Sequence, residues 1–227
     1  MKSEKITTRW YDDACGTAHA LELVGERWAL LVIRELMFGG RRFADLRRGL
    51  PGISANVLTQ RLQALEAAGV IARRTLPPPA AVQVYELTPW GYEAEPFVQS
   101  LGRWAARSPG HDPTLPLSAV SLMMSFRTMF AADRAGDAHL TLAFRLGTDR
   151  FAATVAAGRL AIERGEPDAA DAVVTGAPET VAGIVYGGRP VEDAVASGEL
   201  AIEGDVAAFA RFTGLFALPP KAARDAR

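Results

Sequence analysis

Apolar residues recur at helical spacing through the first half of the chain and alternate with polar ones through much of the second. Leu21 and Val24 share one face of a helix expected from about Ala14 to Val24, capped by Asp13. Trp28, Leu31, Val32, Leu36 and Met37 keep the same period over a second helix, about Glu26 to Phe38, which Gly39-Gly40 ends. A short helix is expected near Phe43 to Arg48, stopped by Gly49 and Pro51. Ser54 then caps a helix that ends at Gly69. Val70 to Thr75 and Val82 to Leu87 read as two strands joined by Leu-Pro-Pro-Pro-Ala-Ala, a proline-stiffened hairpin in the position of a wing. Thr88-Pro89 starts a long helix to about Arg107, with Pro96 as a kink or break and Phe97, Leu101 and Trp104 as its apolar stripe.

Ser108 to Pro116 is rich in proline and polar residues and marks the domain boundary. The expected organisation is a first domain over 1–107, a linker over 108–116 and a second domain over 117–227. Within the second, a helix of about Leu117 to Ala132 precedes alternating stretches. These are Leu140, Leu142, Phe144 and Leu146, then Phe151, Ala153 and Val155, then Leu160 and Ile162. Gly and Asp turns separate them, as in a meandering antiparallel sheet with one apolar face. Helices near 178–186 and 190–197, a strand at Leu200 to Glu203 and a helix from Asp205 to Phe216 complete an α+β chain.

Composition narrows the class. Apolar residues make up 49% of the 227, which fits globular cores. Met1 to Arg9 is charged and polar, unlike a secretory signal. Ala18 to Met37 is interrupted by Glu22, Glu26, Arg27, Arg34 and Glu35, which excludes a membrane span there. A single cysteine fits a reducing compartment, so a cytoplasmic protein with no membrane partner is expected. The net charge of −1 conceals an asymmetry: residues 1–110 carry 14 Lys+Arg against 11 Asp+Glu, and residues 111–227 carry 11 against 15. Inside 34–74 there are eight arginines and three acids. Such a basic island is the footprint expected for phosphate contacts.

Placing 54–68 at 100° per residue sorts that island. Leu58, Leu62 and Leu65 fall on one side and face a core, while Asn56, Gln60 and Gln63 fall opposite, with Thr59 at the edge. Amides and hydroxyls on an exposed helix face are suited to base edges in a major groove. Ser54, Asn56, Thr59, Gln60 and Gln63 are therefore the candidate reading face of double-stranded DNA. Arg41, Arg42, Arg47 and Arg48 are candidate phosphate contacts, and Arg73 and Arg74 flank the wing. Arg61 lies toward the core side, where a buried pair with an acid is as good a reading as a DNA contact.

Between Cys15 and Trp104 the chain resembles the HxlR family of winged-helix regulators, near the MarR group. The shared pieces are Cys15, Val-Gly-Glu-Arg-Trp at 24–28, Arg42-Phe43, Leu50-Pro-Gly-Ile-Ser54 and Leu58-Thr-Gln-Arg-Leu62. Leu65-Glu66, Gly69, Tyr85-Glu-Leu-Thr88, Gly91 and Trp104 complete them. The resemblance implies a dimeric transcription factor with 54–68 as recognition helix. Many relatives carry lysine where this chain has Asn56, so the operator sequence does not carry over. The half from about 117 to 218 resembles the sterol-carrier-protein fold through Val173-Val-Thr-Gly176, Pro178-Glu-Thr180, Gly188 and Leu200-Ala-Ile-Glu-Gly-Asp205. That resemblance implies an apolar tunnel and a hydrophobic effector, for which Met123, Phe126, Phe130, Phe144, Phe209 and Phe216 are candidate lining or plain core.

The expectation is thus a homodimeric DNA-binding regulator, a repressor, paired through Phe97, Leu101 and Trp104. One alternative makes Cys15 a redox or electrophile switch. A helix N-terminus favours its thiolate, and Asp12 and Asp13 oppose it. Another alternative is a lipid or metabolite carrier with a vestigial DNA module. His19, His111 and His139 show no metal-ligand spacing, and no nucleophile elbow or phosphate-cradling loop occurs. No enzyme activity, cofactor or metal is expected.

Overall fold

A computed structural model describes residues 11–79 and 81–223, which form two compact units divided between Ala94 and Glu95. The Met1 to Arg9 segment lies outside the described residues.

The first unit is a small helical domain with a two-stranded hairpin. Helices α1 (Gly16–Val24), α2 (Ala29–Leu36), α3 (Phe43–Gly49) and α4 (Ala55–Ala67) precede strands β1 (Ile71–Thr75) and β2 (Gln83–Leu87) and the short helix α5 (Pro89–Tyr92). Both early helices start later than their periodicity suggests. Asp13 accepts the Cys15 amide at 2.9 Å, so Asp13 sits in a turn and Cys15 becomes the N-cap. Trp28 precedes α2 with a φ of 80°, a left-handed position that separates it from the helix. Ser54 caps α4 as expected, its hydroxyl accepting the Val57 amide at 3.2 Å. The helix closes at Gly69, whose φ of +74° lets the Val70 amide reach back to the Leu65 carbonyl at 3.0 Å.

Leu58, Leu62 and Leu65 are buried with Val32, Ile33, Leu36, Leu46 and Leu50, which fixes the inner face of α4. The hairpin is antiparallel with Arg73 opposite Tyr85, and Arg41 adds an isolated bridge to the other side of Tyr85. Thr88 ties the hairpin to the end of α4. Its hydroxyl donates to the Gly69 carbonyl at 2.8 Å and accepts the Gly91 amide at 3.0 Å. A Cβ at Gly91 would collide with the Val70 carbonyl oxygen, so this approach requires glycine.

The second unit opens with α6 (Glu95–Ala106), followed by α7 (Ala119–Met129), α8 (Ala132–Ala135), β3 (Leu140–Leu146), β4 (Asp149–Ala156) and β5 (Arg159–Arg164). Then come β6 (Ala172–Gly176), α9 (Pro178–Val185), α10 (Val191–Ala196), β7 (Leu200–Gly204) and α11 (Val206–Thr213). The helix expected from Thr88 to Arg107, with a kink or break at Pro96, is two helices, the break falling at Glu93 and Ala94. Pro96 does not kink it; it occupies the second position of α6, where its missing N–H costs no helical bond. Because α6 packs on α7, it belongs to this unit, whereas the residue pattern groups it with the first domain.

The sheet order is β5-β4-β3-β6-β7. It is mixed rather than wholly antiparallel, because β6 runs parallel to β3 with Leu142 opposite Ala172. Asp171 sets that register: its carboxylate accepts the Thr141 amide at 2.7 Å and its own amide donates to the Thr141 carbonyl at 2.7 Å. Aromatic rings fill the space between sheet and helices. Phe126 stacks on Phe216 at 4.7 Å and meets Phe212 at 5.4 Å and Phe144 at 5.9 Å.

Candidate nucleic-acid interface

Helix α4 presents the chemistry that its angular pattern predicts. Asn56, Thr59, Gln60 and Gln63 are all exposed, opposite the buried leucines, and Ser54 is exposed at the cap. Among the described residues the side-chain amides of Asn56, Gln60 and Gln63 make no hydrogen bond, so each offers a donor and an acceptor outward. Thr59 differs. Its hydroxyl donates to the Ala55 carbonyl at 2.9 Å, so toward a ligand it acts as an acceptor.

The arginines divide sharply. Arg41 is only 8% exposed and lies at the base of the hairpin, its amide and carbonyl both bonded to Tyr85 at 2.8 Å. This corrects the expectation that it grips a phosphate, since its surface is taken up by the fold. Arg34 donates to buried Glu35 at 2.9 Å, and Glu35 in turn lies where a Cβ on Gly49 would collide with it. Arg48 pairs with Asp45 at 2.8 Å, Arg73 with Glu66 at 2.9 Å, Arg74 with Glu86 at 3.1 Å and Arg61 with Glu26 at 3.4 Å. For Arg61 this selects the acid pair over the DNA contact. Arg42, at the N-cap of α3, and Arg47, in its last turn, are exposed and form no ion pair among the described residues. Arg48 and Arg74 remain at the surface, where an ion pair is worth little and exchanges readily for a phosphate.

The other candidate residues sit in separate places. Cys15 is exposed, and the amides of Thr17 and Ala18 together with the Thr17 hydroxyl hold its thiol below the usual range. Phe97, Leu101 and Trp104 remain 49%, 45% and 72% exposed along α6. The same helix is held from another side by Arg127, which donates to Glu95 at 2.8 Å, and by Arg103, which donates to the Thr128 carbonyl at 3.0 Å.

Among the proposed ligand residues, Met123, Phe126, Phe144, Phe209 and Phe216 are buried, with the rings packed on one another. Five of the six are therefore core. Phe130 is half-buried and borders a groove of about 410 Å³ shared with Glu95, Arg127, Leu160 and Ile162. Glu66 and Tyr85, which the sequence marks as pieces of the family pattern without a site role, both engage Arg73.

A helical domain with a capped, outward-polar fourth helix followed by a hairpin is a winged helix-turn-helix. Residues 23–112 match the HxlR-like helix-turn-helix family. The HTH-type transcriptional regulator YvaP of Bacillus subtilis is 33% identical over 86 residues, which are 38% of this chain and 80% of that protein. The regulator YtfH of Escherichia coli is 36% identical over 94 residues, 41% of this chain and 75% of the relative. The solved reduced form of the transcriptional regulator YodB from B. subtilis is 31% identical, spanning 44% of this chain and all of its own, with a TM-score of 0.39.

The chain belongs to the HxlR-like family of helix-turn-helix transcriptional regulators. Its second half matches a different family, the alkyl sulfatase C-terminal one, over residues 117–222. That match replaces the sterol-carrier likeness expected from residues 117–218. Among the described residues no helix is long and apolar enough to cross a membrane.

Proposed function

We propose that the chain is a homodimeric transcriptional repressor that reads a pseudo-palindromic operator through Ser54, Asn56, Thr59, Gln60 and Gln63. Arg42, Arg47, Arg48 and Arg74 hold the phosphates. The carrying observation is the exposed amide face of α4, unbonded among the described residues, together with Arg42 and Arg47 at the two ends of α3, which form no ion pair there. Base edges give sequence choice; phosphates give register and salt dependence. The exposed stripe of Phe97, Leu101 and Trp104 supports pairing through α6, and a pseudo-palindromic operator read in successive major grooves calls for two reading helices roughly 34 Å apart.

The test is fluorescence anisotropy on duplexes from the chain's own promoter region across a salt series. A steep fall in affinity with rising salt, plus preference over random duplex, is expected. Binding that ignores salt would instead favour the carrier reading.

For the second unit we propose effector control without a chemical step. The groove beside Phe130 is the place we assign to a lipophilic effector, since the other five candidate residues are buried. It would shift operator affinity only by its different affinity for the two dimer geometries. An operator affinity unchanged across a broad panel of lipophilic metabolites would overturn this part.

A second reading, control through Cys15, is favoured by its exposure and its lowered thiol pKa. A Cys15→Ser protein that keeps its full response to quinones or peroxides would sink it.

A further inference from the structure

Only Ala68, Gly69 and Val70 link the end of α4 to the start of the wing, and Gly69 at φ +74° turns the chain within that link. Thr88 ties the link from the far end of the hairpin, and a second side chain reaches across from β1 to α4. Arg73, central in β1, donates from Nη2 to Glu66 Oε2 at 2.9 Å, seven residues back in the last turn of α4. The same guanidinium lies 5.4 Å from the ring centroid of Tyr85, its cross-strand partner. Tyr85 is anchored in turn, its backbone bonded in both directions to Arg41 at 2.8 Å. Arg41, Tyr85 and Arg73 therefore form one transverse row through the hairpin, and Glu66 joins that row to the helix.

We propose that Arg73 is a positioning residue and not a phosphate contact: with Glu66 and Tyr85 it forms a strut that sets the angle between the reading helix and the wing. A planar guanidinium offers its edge to a carboxylate and its face to a ring at once, which an ammonium does not do. Arg74 lacks this geometry, since its partner Glu86 lies within the hairpin itself. The strut rests on the DNA-reading assignment above. Its consequence is that operator choice depends on residues that touch no base.

The experiment uses the full chain and two probes, a duplex selected by the wild-type protein from a random-sequence pool and an unselected random duplex. Arg73→Ala, Arg73→Lys and Glu66→Gln are each expected to weaken the selected duplex roughly two- to fivefold, as one surface ion pair allows, while leaving the random duplex unchanged. The double variant Arg73→Ala/Glu66→Gln should be no worse than either single one, and the slope of log affinity against log salt should not move.

The idea is overturned if Arg73→Ala flattens the salt slope by about 0.9 and weakens both duplexes alike, the signature of a lost phosphate contact. It is equally overturned if Glu66→Gln tightens binding by releasing Arg73 to a phosphate. Failure of the DNA reading itself looks different: the wild-type chain then shows no salt-dependent binding to either duplex. Amide hydrogen exchange at Val70, which donates to the Leu65 carbonyl across the junction, gives a readout without DNA. Faster exchange in Glu66→Gln supports the strut, and unchanged exchange counts against it.

Discussion

In the second unit several arginines pair with acids of their own fold, although exposed Arg159 makes no ion pair among the described residues. Arg145 donates to Glu166 at 2.9 Å, Arg150 reaches the same carboxylate at 3.3 Å, and Arg189 grips Glu199 at 2.8 Å. The first unit handles most of its arginines in the same way, yet it leaves Arg42 and Arg47 exposed beside a helix whose amides are also unbonded. Counting charge in the sequence marks 34–74 as basic throughout. Within 34–74, among the described residues, the arginines that are exposed and without an ion pair are Arg42 and Arg47, at the start and in the last turn of α3. A nucleic-acid surface is defined by donors the fold has not already used, not by the number of cations.

The comparison can be broken from either side. The largest expected effect is on the second unit: Phe126→Ala removes the ring shared by Phe144, Phe212 and Phe216 and should cost about 3–5 kcal/mol by chemical denaturation. If the salt slope of DNA binding changes as well, the two units are not functionally separate. Next, Arg42→Ala with Arg47→Ala should weaken all duplexes roughly tenfold per arginine and flatten the salt slope by about 1.8. Arg145→Ala and Arg189→Ala should do neither, and anisotropy across salt distinguishes the pairs.

Asn56→Ala or Gln60→Ala should cost about 1–3 kcal/mol on the selected duplex and little on random sequence, measured by competition binding. An unaltered preference would mean that α4 faces the groove differently.

The smallest effect concerns pH. Arg189, helped by the Ser197 hydroxyl, pulls the Glu199 carboxyl from 4.5 down to about 2. A folded value below the unfolded one contributes stability that is present above about 4.5 and lost as pH falls toward 2. Glu199→Gln should therefore lower the urea midpoint slightly at pH 6 and leave it unchanged near pH 2.

Much of this arrangement is legible in the residues. The helical period of Leu58, Leu62 and Leu65 and the Ser54 cap define α4, because both depend on neighbours in the chain. Thr88-Pro89 likewise marks a helix start through local chemistry. The break at Glu93 and Ala94 is less visible, since Pro96 draws attention to a position where proline is harmless. The parallel placement of β6 depends on Asp171 meeting Thr141, thirty residues away, which no periodicity encodes.

The pairing of the arginines is similarly remote, with one exception. Once the hairpin register is set, Arg74 and Glu86 fall on a cross-strand diagonal, so that pair could have been found. Burial of Arg41 follows from an isolated bridge to Tyr85 and leaves no local mark.

Trp104, 72% exposed on α6, has a consequence for dosage. On the proposed dimer, an operator needs two chains at once, so below the association midpoint its occupancy rises with the square of the chain's concentration. Joining two half-sites also turns the second docking into an intramolecular step, raising overall avidity without any new base contact. Trp104→Asp would make the response linear and shallow. A cell carrying it would lose the threshold as well as the tight binding, with every groove-facing residue intact.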